Sequence, residues 1–270
     1  MILTVNHQTI YRYDQPMRGM VQSHRLTPSR CDSQTTLDWS VTVSGATMGG
    51  AFRDGAGDWV QACTVAGPVS EVIVQVMGRV ETSDTMGILT GHREKTPPEA
   101  YLSETLATRP DVALTDLGRD AIARGTDPLD RAHRLAEAVG EAIVFTPGVT
   151  EAHTTAAEAL SLGQGVCQDH SHALIAAACA QRIPARYISG YLHATFDGAA
   201  NEAAHAWAEL WVEGIGWVGF DAANKCCPNE SYIRLGSGRD SREAAPIRGI
   251  ARGPGQESLD VSVAVEAAQQ

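Results

Sequence analysis

Cys167 sits in the stretch GQGVCQDHSHALIAAACA, just after a glycine turn at Gly163 and Gly165. A helix starting at Val166 or Cys167 would place the sulfur at a helix N-terminus, where unsatisfied N–H groups and the helix dipole favour an anion. A thiol so placed has its pKa lowered from about 8.5 to roughly 3.5–7.5, and the thiolate is the nucleophilic form. Two other readings stand beside this one. A cysteine among alanines also serves as a small apolar core residue. His170, one turn later on the same face, completes a Cys-x-x-His pair of the kind that binds zinc.

A nucleophilic thiolate needs a histidine to carry its proton and an acceptor to orient that histidine. The segment AHAWAELWVEGIGWVGFDAANK offers both, with His205 opening one apolar-alternating run and Asp221 ending the next. A tight turn through Gly214 and Gly216 would fold these runs into a hairpin and bring His205 near Asp221. Taken singly, His205 fits a core histidine and Asp221 a turn cap. Zinc is the weaker reading, because Cys226 and Cys227 are adjacent and structural zinc sites use spaced pairs. Asp169 reads as a cap of its own helix or a brace for the loop before it. His172 points away from Cys167, and Cys179 reads as core. His7, His24, His92, His133, His153 and His193 form no local cluster.

The elements that must position these groups fall into blocks. Residues 1 to about 80 read as β. Leu37, Trp39, Val41 and Val43 alternate, as do Val72, Val74, Val76 and Gly78, with ILTVNHQTIYRY a third strand. Glycines between them mark turns, so short strands in an antiparallel sandwich or sheet are expected. EKTPPEAYL is a linker, and helices follow. TDLGRDAIARG has a Thr115-Asp116 start and ends at Gly125. Asp127 and Pro128 cap and open the next helix. TTAAEALSLGQG closes at Gly163, and the Cys167 helix runs to about Arg182, before Pro184. Then β returns in PARYISGYL, AHAWAELWV and GWVGFDAAN, and after a loop rich in Gly and Pro in SLDVSVAVEA. The pattern predicts an α+β protein with a β-rich domain over 1–95 and a catalytic core over 96–270.

The chain of 270 residues carries a formal net charge of -11. That excludes nonspecific binding to nucleic acid or an anionic membrane, both of which need a basic surface. No run approaches the roughly 20 apolar residues of a membrane span, and the N-terminus lacks the pattern of a signal peptide. Six scattered cysteines in such a chain argue against a disulfide framework and for a reducing, cytoplasmic setting.

GVCQDHSHALIAAACAQRIPARYISGYL, AHAWAELWVEGIGWVGFDAANK and GRDSREAAPIRG together resemble the bacterial transglutaminase-like proteins, whose superfamily also holds animal transglutaminases and peptide N-glycanases. The β-rich start, with YRYDQP and SHRLTPSR, is similar to the region commonly found before that core. The resemblance implies a papain-like core, with a cysteine-bearing helix packed on an antiparallel sheet. It implies Cys167 as nucleophile, His205 as general base and acid, and Asp221 as the orienting carboxylate. It implies a peptide or protein amide as substrate, with no cofactor or metal. Hydrolysis, acyl transfer to an amine, and a non-catalytic binding module on the same fold are the functions to be weighed. Three departures stand out: FDAAN replaces the usual FDPTN, His170 follows Asp169 where phenylalanine is typical, and Phe145 stands where tyrosine is common. The oxyanion donors expected are the Cys167 backbone N–H and a second group, for which Gln164 is a candidate.

Overall fold

The computed structural model describes residues 1–193 and 203–268. The chain is α+β. It begins with β1 (Ile2–His24), β2 (Gln34–Val43), β3 (Ala46–Arg53) and β4 (Trp59–Thr82). A linker with one 3₁₀ turn at Pro98–Leu102 leads to α1 (Val112–Ile122), α2 (Pro128–Ala142), β5 (Val144–Phe145), α3 (Ala156–Leu162), β6 (Gln164–Gly165) and α4 (Cys167–Ala180). The remainder is β7 (Ala185–Leu192), β8 (Ala204–Val212), β9 (Gly216–Phe220), β10 (Tyr232–Gly238), β11 (Ile247–Arg252) and β12 (Glu257–Ala267).

One antiparallel sheet runs β11-β1-β4-β2, with β12 also on β1 and β3 also on β4. Its strands are not the short ones expected. β1 and β4 span 23 and 24 residues and stay paired along their length through register shifts between Arg12 and Met17 and between Met17 and Gly19. Bulges of this kind let a long strand bend without losing its partner. Val72, Val74 and Val76 share the buried face as the alternation predicts. Leu37 does not: a register shift between Thr36 and Asp38 takes it out of phase, and it is exposed.

The last two strands belong to this first sheet. β11 pairs with the second half of β1, Gly19 opposite Arg252, and β12 with the first half, Leu3 opposite Ala267. Residues 247–267 thus sit on the sheet that begins at residue 2 and not on the β7–β10 sheet. The alternation in SLDVSVAVEA identifies a strand but carries no information about its partner, which lies at the other end of the chain.

The second antiparallel sheet has the order β10-β7-β8-β9. β10 falls within the stretch read as loop. Its sequence, YIRLGSG, is buried throughout, so it lacks the polar alternation of a one-sided strand. The helices cover one face of this sheet, and α4 lies innermost. Apolar and small residues surround its axis, with Leu174, Ile175, Ala176, Ala177 and Ala178 buried, which is the signature of a central helix. Each buried Leu or Ile contributes roughly 1.5–3 kcal/mol. Asp127 caps α2 through the Asp130 N–H, with Pro128 in the first turn. Gly163 ends α3 at φ 66°, a left-handed conformation that suits glycine. The α1 cap differs from expectation: Asp111 accepts from Leu114 N–H, and Thr115 already lies inside the helix, its hydroxyl donating to Asp111 O.

The opposite face of the β7–β10 sheet carries buried charge. Arg186 Nε donates to Glu209 Oε2 at 2.7 Å and Arg234 Nε to Glu209 Oε1 at 2.9 Å. Arg186 also pairs with Glu94 in the linker, and Arg234 Nη1 with Asp58 at 3.0 Å, beside the end of β3 and the start of β4. The Arg186 guanidinium lies 4.0 Å from the Trp217 ring centre. Burial opposes charge on Glu209, but the two guanidiniums hold its pKa down at about 2.

Candidate active site

Cys167 is the first residue of α4, as its sequence context predicts. The turn before it is held by Asp169, whose Oδ2 accepts the Val166 N–H at 2.8 Å and the Thr150 hydroxyl at 2.7 Å. Gly165 makes that possible, since a Cβ there would lie 2.6 Å from the same oxygen. Asp169 therefore both caps the helix and braces the loop.

His205 lies near the start of β8, opposite Gly190 of β7, and Asp221 follows the last residue of β9. The turn between β8 and β9 is the hairpin that the two glycines announce, with Val212 opposite Gly216. His205 Nε2 donates to Asp221 Oδ2 at 2.6 Å. That leaves Nδ1 for the Cys167 sulfur. Burial opposes charge on His205, yet its hydrogen bonds to Asp221 and to the sulfur push its pKa up to about 10. The three candidates thus converge from α4, β8 and the end of β9. Asp221 is fully buried, whereas Cys167 and the His205 side chain keep 9% and 8% exposure, enough to leave an edge of each at the surface.

Asp221 is more heavily bonded than its sequence context suggests. Oδ1 accepts from the Ala223 and Asn224 N–H groups, each at 3.1 Å. Oδ2 accepts from Asn224 Nδ2 at 2.7 Å and the Tyr232 hydroxyl at 2.8 Å besides His205. Its backbone exchanges two hydrogen bonds with Cys226. Burial opposes its ionisation, and the donors led by His205 outweigh that and hold its pKa below the usual range. The FDAAN turn thus draws its rigidity from an aspartate turn and not from proline. Asn224 and Tyr232 were not singled out from the sequence. An asparagine three residues after Asp221 is a turn signal that would have flagged the first, whereas Tyr232 comes from β10 and has no local signal.

The remaining candidates are placed as follows. Both His170 ring nitrogens face carbonyl oxygens, Val166 O and Ile143 O, each at 2.9 Å. Among the described residues, no group of three or more His, Cys, Asp or Glu is arranged to hold a metal ion. His172 is buried, and its Nε2 accepts the Ser241 N–H at 3.0 Å, tying α4 to the GRDS segment. Cys179 is half-buried, with its thiol directed at Tyr101 O. Gln164 pairs through its backbone with Val144, and Phe145, half exposed, lies beside His170. Cys226 is exposed, and its sulfur lies 3.3 Å from the Tyr232 hydroxyl.

Residues 115–222 match the transglutaminase-like superfamily, and residues 3–81 match the bacterial transglutaminase-like N-terminal region. An uncharacterized protein of Mycobacterium leprae is 30% identical, over 97% of this chain and 98% of its own. One from Mycobacterium bovis is 29% identical, over 97% and 91%. The fold is similar to that of a protein from Cytophaga hutchinsonii described as a candidate cysteine protease. The TM-score is 0.76 at 20% identity, over 100% of this chain and 92% of that one. No helix among the described residues is long and apolar enough to cross a membrane.

Proposed function

The chain belongs to the transglutaminase-like superfamily, and we propose that within it this protein is a cysteine-dependent hydrolase of peptide or isopeptide amides. The observation that carries the reading is the His205–Asp221 bond at 2.6 Å, which commits one ring nitrogen and turns the other toward a sulfur at a helix N-terminus. In this mechanism the Cys167 thiolate attacks the amide carbonyl. The Cys167 backbone N–H stabilises the developing oxyanion. His205, charged at this stage, gives its Nδ1 proton to the leaving amine, and a thioester remains. His205, now neutral, takes a proton from water, the hydroxide equivalent attacks the thioester, and the acid departs as the thiolate–imidazolium pair returns. Asp221 keeps its charge throughout and fixes the ring.

Water is the favoured acceptor over an amine. Transfer needs a shielded thioester and a second groove for the amine. The tryptophans near the motif are spent on packing: Trp207 and Trp217 are buried, and Trp211 stacks edge-on against Trp217. A protein cross-linker would also need restraint, and the sequence shows no regulatory calcium loop. Free thiols at all six cysteines fit a cytoplasmic setting.

The test is to incubate the protein with labelled peptide amides and search by mass spectrometry for an acyl adduct on Cys167. The expected result is an adduct that decays to free acid and is absent in Cys167→Ala. If no amide in a broad panel acylates the wild type, the hydrolase reading fails. If millimolar primary amine diverts most product to the exchanged amide, hydrolysis yields to transfer.

A further inference from the structure

The carboxylate of Asp221 has a partner that none of the active-site motifs supplies. Tyr232, on β10, is 8% exposed and donates its hydroxyl to Asp221 Oδ2 at 2.8 Å, on the same oxygen that receives the His205 proton. Its ring stands edge-on to Trp207 at 5.5 Å and inclined to His205 at 6.0 Å, so the phenol is locked by packing on two sides. The phenol has one proton, and Asp221 receives it. The contact with Cys226 at 3.3 Å is therefore a donation from the thiol to the phenol oxygen. A directed chain results, from Cys226 through Tyr232 to the carboxylate that orients His205. Burial and the adjacent Asp221 charge keep the phenol protonated far above its ordinary range, so it acts as a donor at any working pH.

We propose that Tyr232 is a positioning residue of the catalytic machinery, setting the direction and basicity of the Asp221 carboxylate and through it the charge state of His205. The inference rests on the hydrolase reading for its meaning in catalysis, though not for its measurement. The physical basis is competition for one oxygen. Each donor on Oδ2 lowers the electron density that Nε2–H meets, and a carboxylate with fewer donors is a stronger base. Without the phenol, Asp221 would pull harder on the imidazolium, and His205 would hold its proton to higher pH. A histidine that releases its proton less readily is a poorer acid toward the leaving amine. The carboxylate would also lose a contact that helps hold its plane from outside its own turn, because Asn224 and the two backbone donors on Oδ1 sit on that short turn and move with it.

Among the described residues, the titratable and charged groups around this point are Asp221, His205 and Cys167 of the site, Cys226 on the turn, the Glu209–Arg234 pair further along the same sheet face, and His133, Glu137, Glu141, Lys225 and Cys227, which line a cavity with Asp221 and Cys226. Glu209 and Arg234 neutralise each other and are common to wild type and variant. A difference between the two proteins therefore reports the phenol.

The experiment compares Tyr232→Phe with wild type by two readouts. The first is the pH profile of kcat and KM on whichever peptide amide acylates Cys167. The second is the pH profile of Cys167 alkylation by iodoacetamide, followed by site-resolved mass spectrometry, which needs no substrate. The expected result is a fall in kcat of about tenfold, KM within about twofold, and an upward displacement of the alkaline limb in both profiles. A profile midpoint does not depend on the amount of active protein, so partial misfolding of the variant leaves this readout intact. If kcat falls while both profiles stay within about 0.2 pH unit of wild type, Tyr232 only packs the sheet, and the proposal is overturned. Unchanged kcat and profiles overturn it as well. Failure of the hydrolase reading looks different: no amide is turned over by wild type, while the displaced alkylation profile still reports the phenol.

Discussion

Two charged clusters are buried on one face of the same sheet, four residues apart on β8, and they do opposite things. At one end, Glu209 lies between Arg186 and Arg234, which reach on to Glu94 and Asp58. At the other, His205 lies between Asp221 and the Cys167 sulfur. Trp207 separates them, facing the same way as both. In the first cluster each charge is met by a fixed opposite charge, and neither Arg186 nor Asp58 has any side-chain exposure. It joins segments from both halves of the chain. In the second, the sulfur and the His205 side chain stay near the surface, and among the described residues Asp221 is the one charged side chain paired with His205. Buried charge that is fully paired fastens a fold, whereas buried charge with one valence left open is available to a substrate.

The comparison breaks most sharply on substitution. Cys167→Ala or His205→Ala is expected to cut turnover by at least about a thousandfold, with the melting temperature of Cys167→Ala nearly unchanged. Asp221→Ala leaves a measurable residue of activity, because orientation is lost but the reacting groups remain. Equal losses of activity and stability in all three would mean that this cluster is also a fastener.

Glu209→Gln is expected to do the reverse. It leaves two buried guanidiniums facing a neutral amide and costs about 3–5 kcal/mol of stability in urea unfolding. The folded fraction should keep the wild-type pH profile of turnover. A variant as stable as wild type would show that the Arg186–Glu209–Arg234 pairing contributes nothing net.

A smaller effect sharpens the contrast, since the clusters titrate at opposite ends of the pH scale. Glu209 has a folded pKa of about 2 against an ordinary carboxylate value near 4.5, so its contribution is complete above 4.5 and is lost as pH falls toward 2. His205 has a folded pKa of about 10 against 6.5, so its contribution is complete below 6.5 and is lost as pH rises toward 10. Urea midpoints measured from pH 3 to 10 should fall at both ends. Glu209→Gln should flatten the acid side alone and His205→Ala the alkaline side alone. A shared response would show that the clusters are electrostatically one.

How legible each cluster was follows from how local its contacts are. Cys167, His205 and Asp221 carry sequence signals: a glycine turn before a helix, a hairpin with two glycines, an aspartate closing a strand. The structure brings them together. Asp127, Pro128 and Gly163 likewise act through neighbours within one helical turn, and the helix ends they mark agree with expectation. The Arg186–Glu209–Arg234 cluster had no such signal. Glu209 reads as an ordinary polar position in an alternating strand, and its partners lie 23 and 25 residues away. β10 was hidden for a related reason. Burial on both faces erases the alternation by which a strand is recognised, and Tyr232 and Arg234 were hidden with it. At Leu37 a bulge reset the period, which residue types do not encode.

The placement of β11 and β12 on either half of β1 sets an order of events for a chain made from its N-terminus. β1 and β4 meet early, but one long edge of β1 stays unpaired until residues 247–267 have been synthesised. Until then an apolar-alternating strand presents free N–H and C=O groups to any passing edge. Pairing between opposite ends of a chain is also slow, since a long loop must close before any contact forms. A stop codon shortly before residue 247 would therefore spare every residue of the candidate site and still yield a protein prone to aggregate.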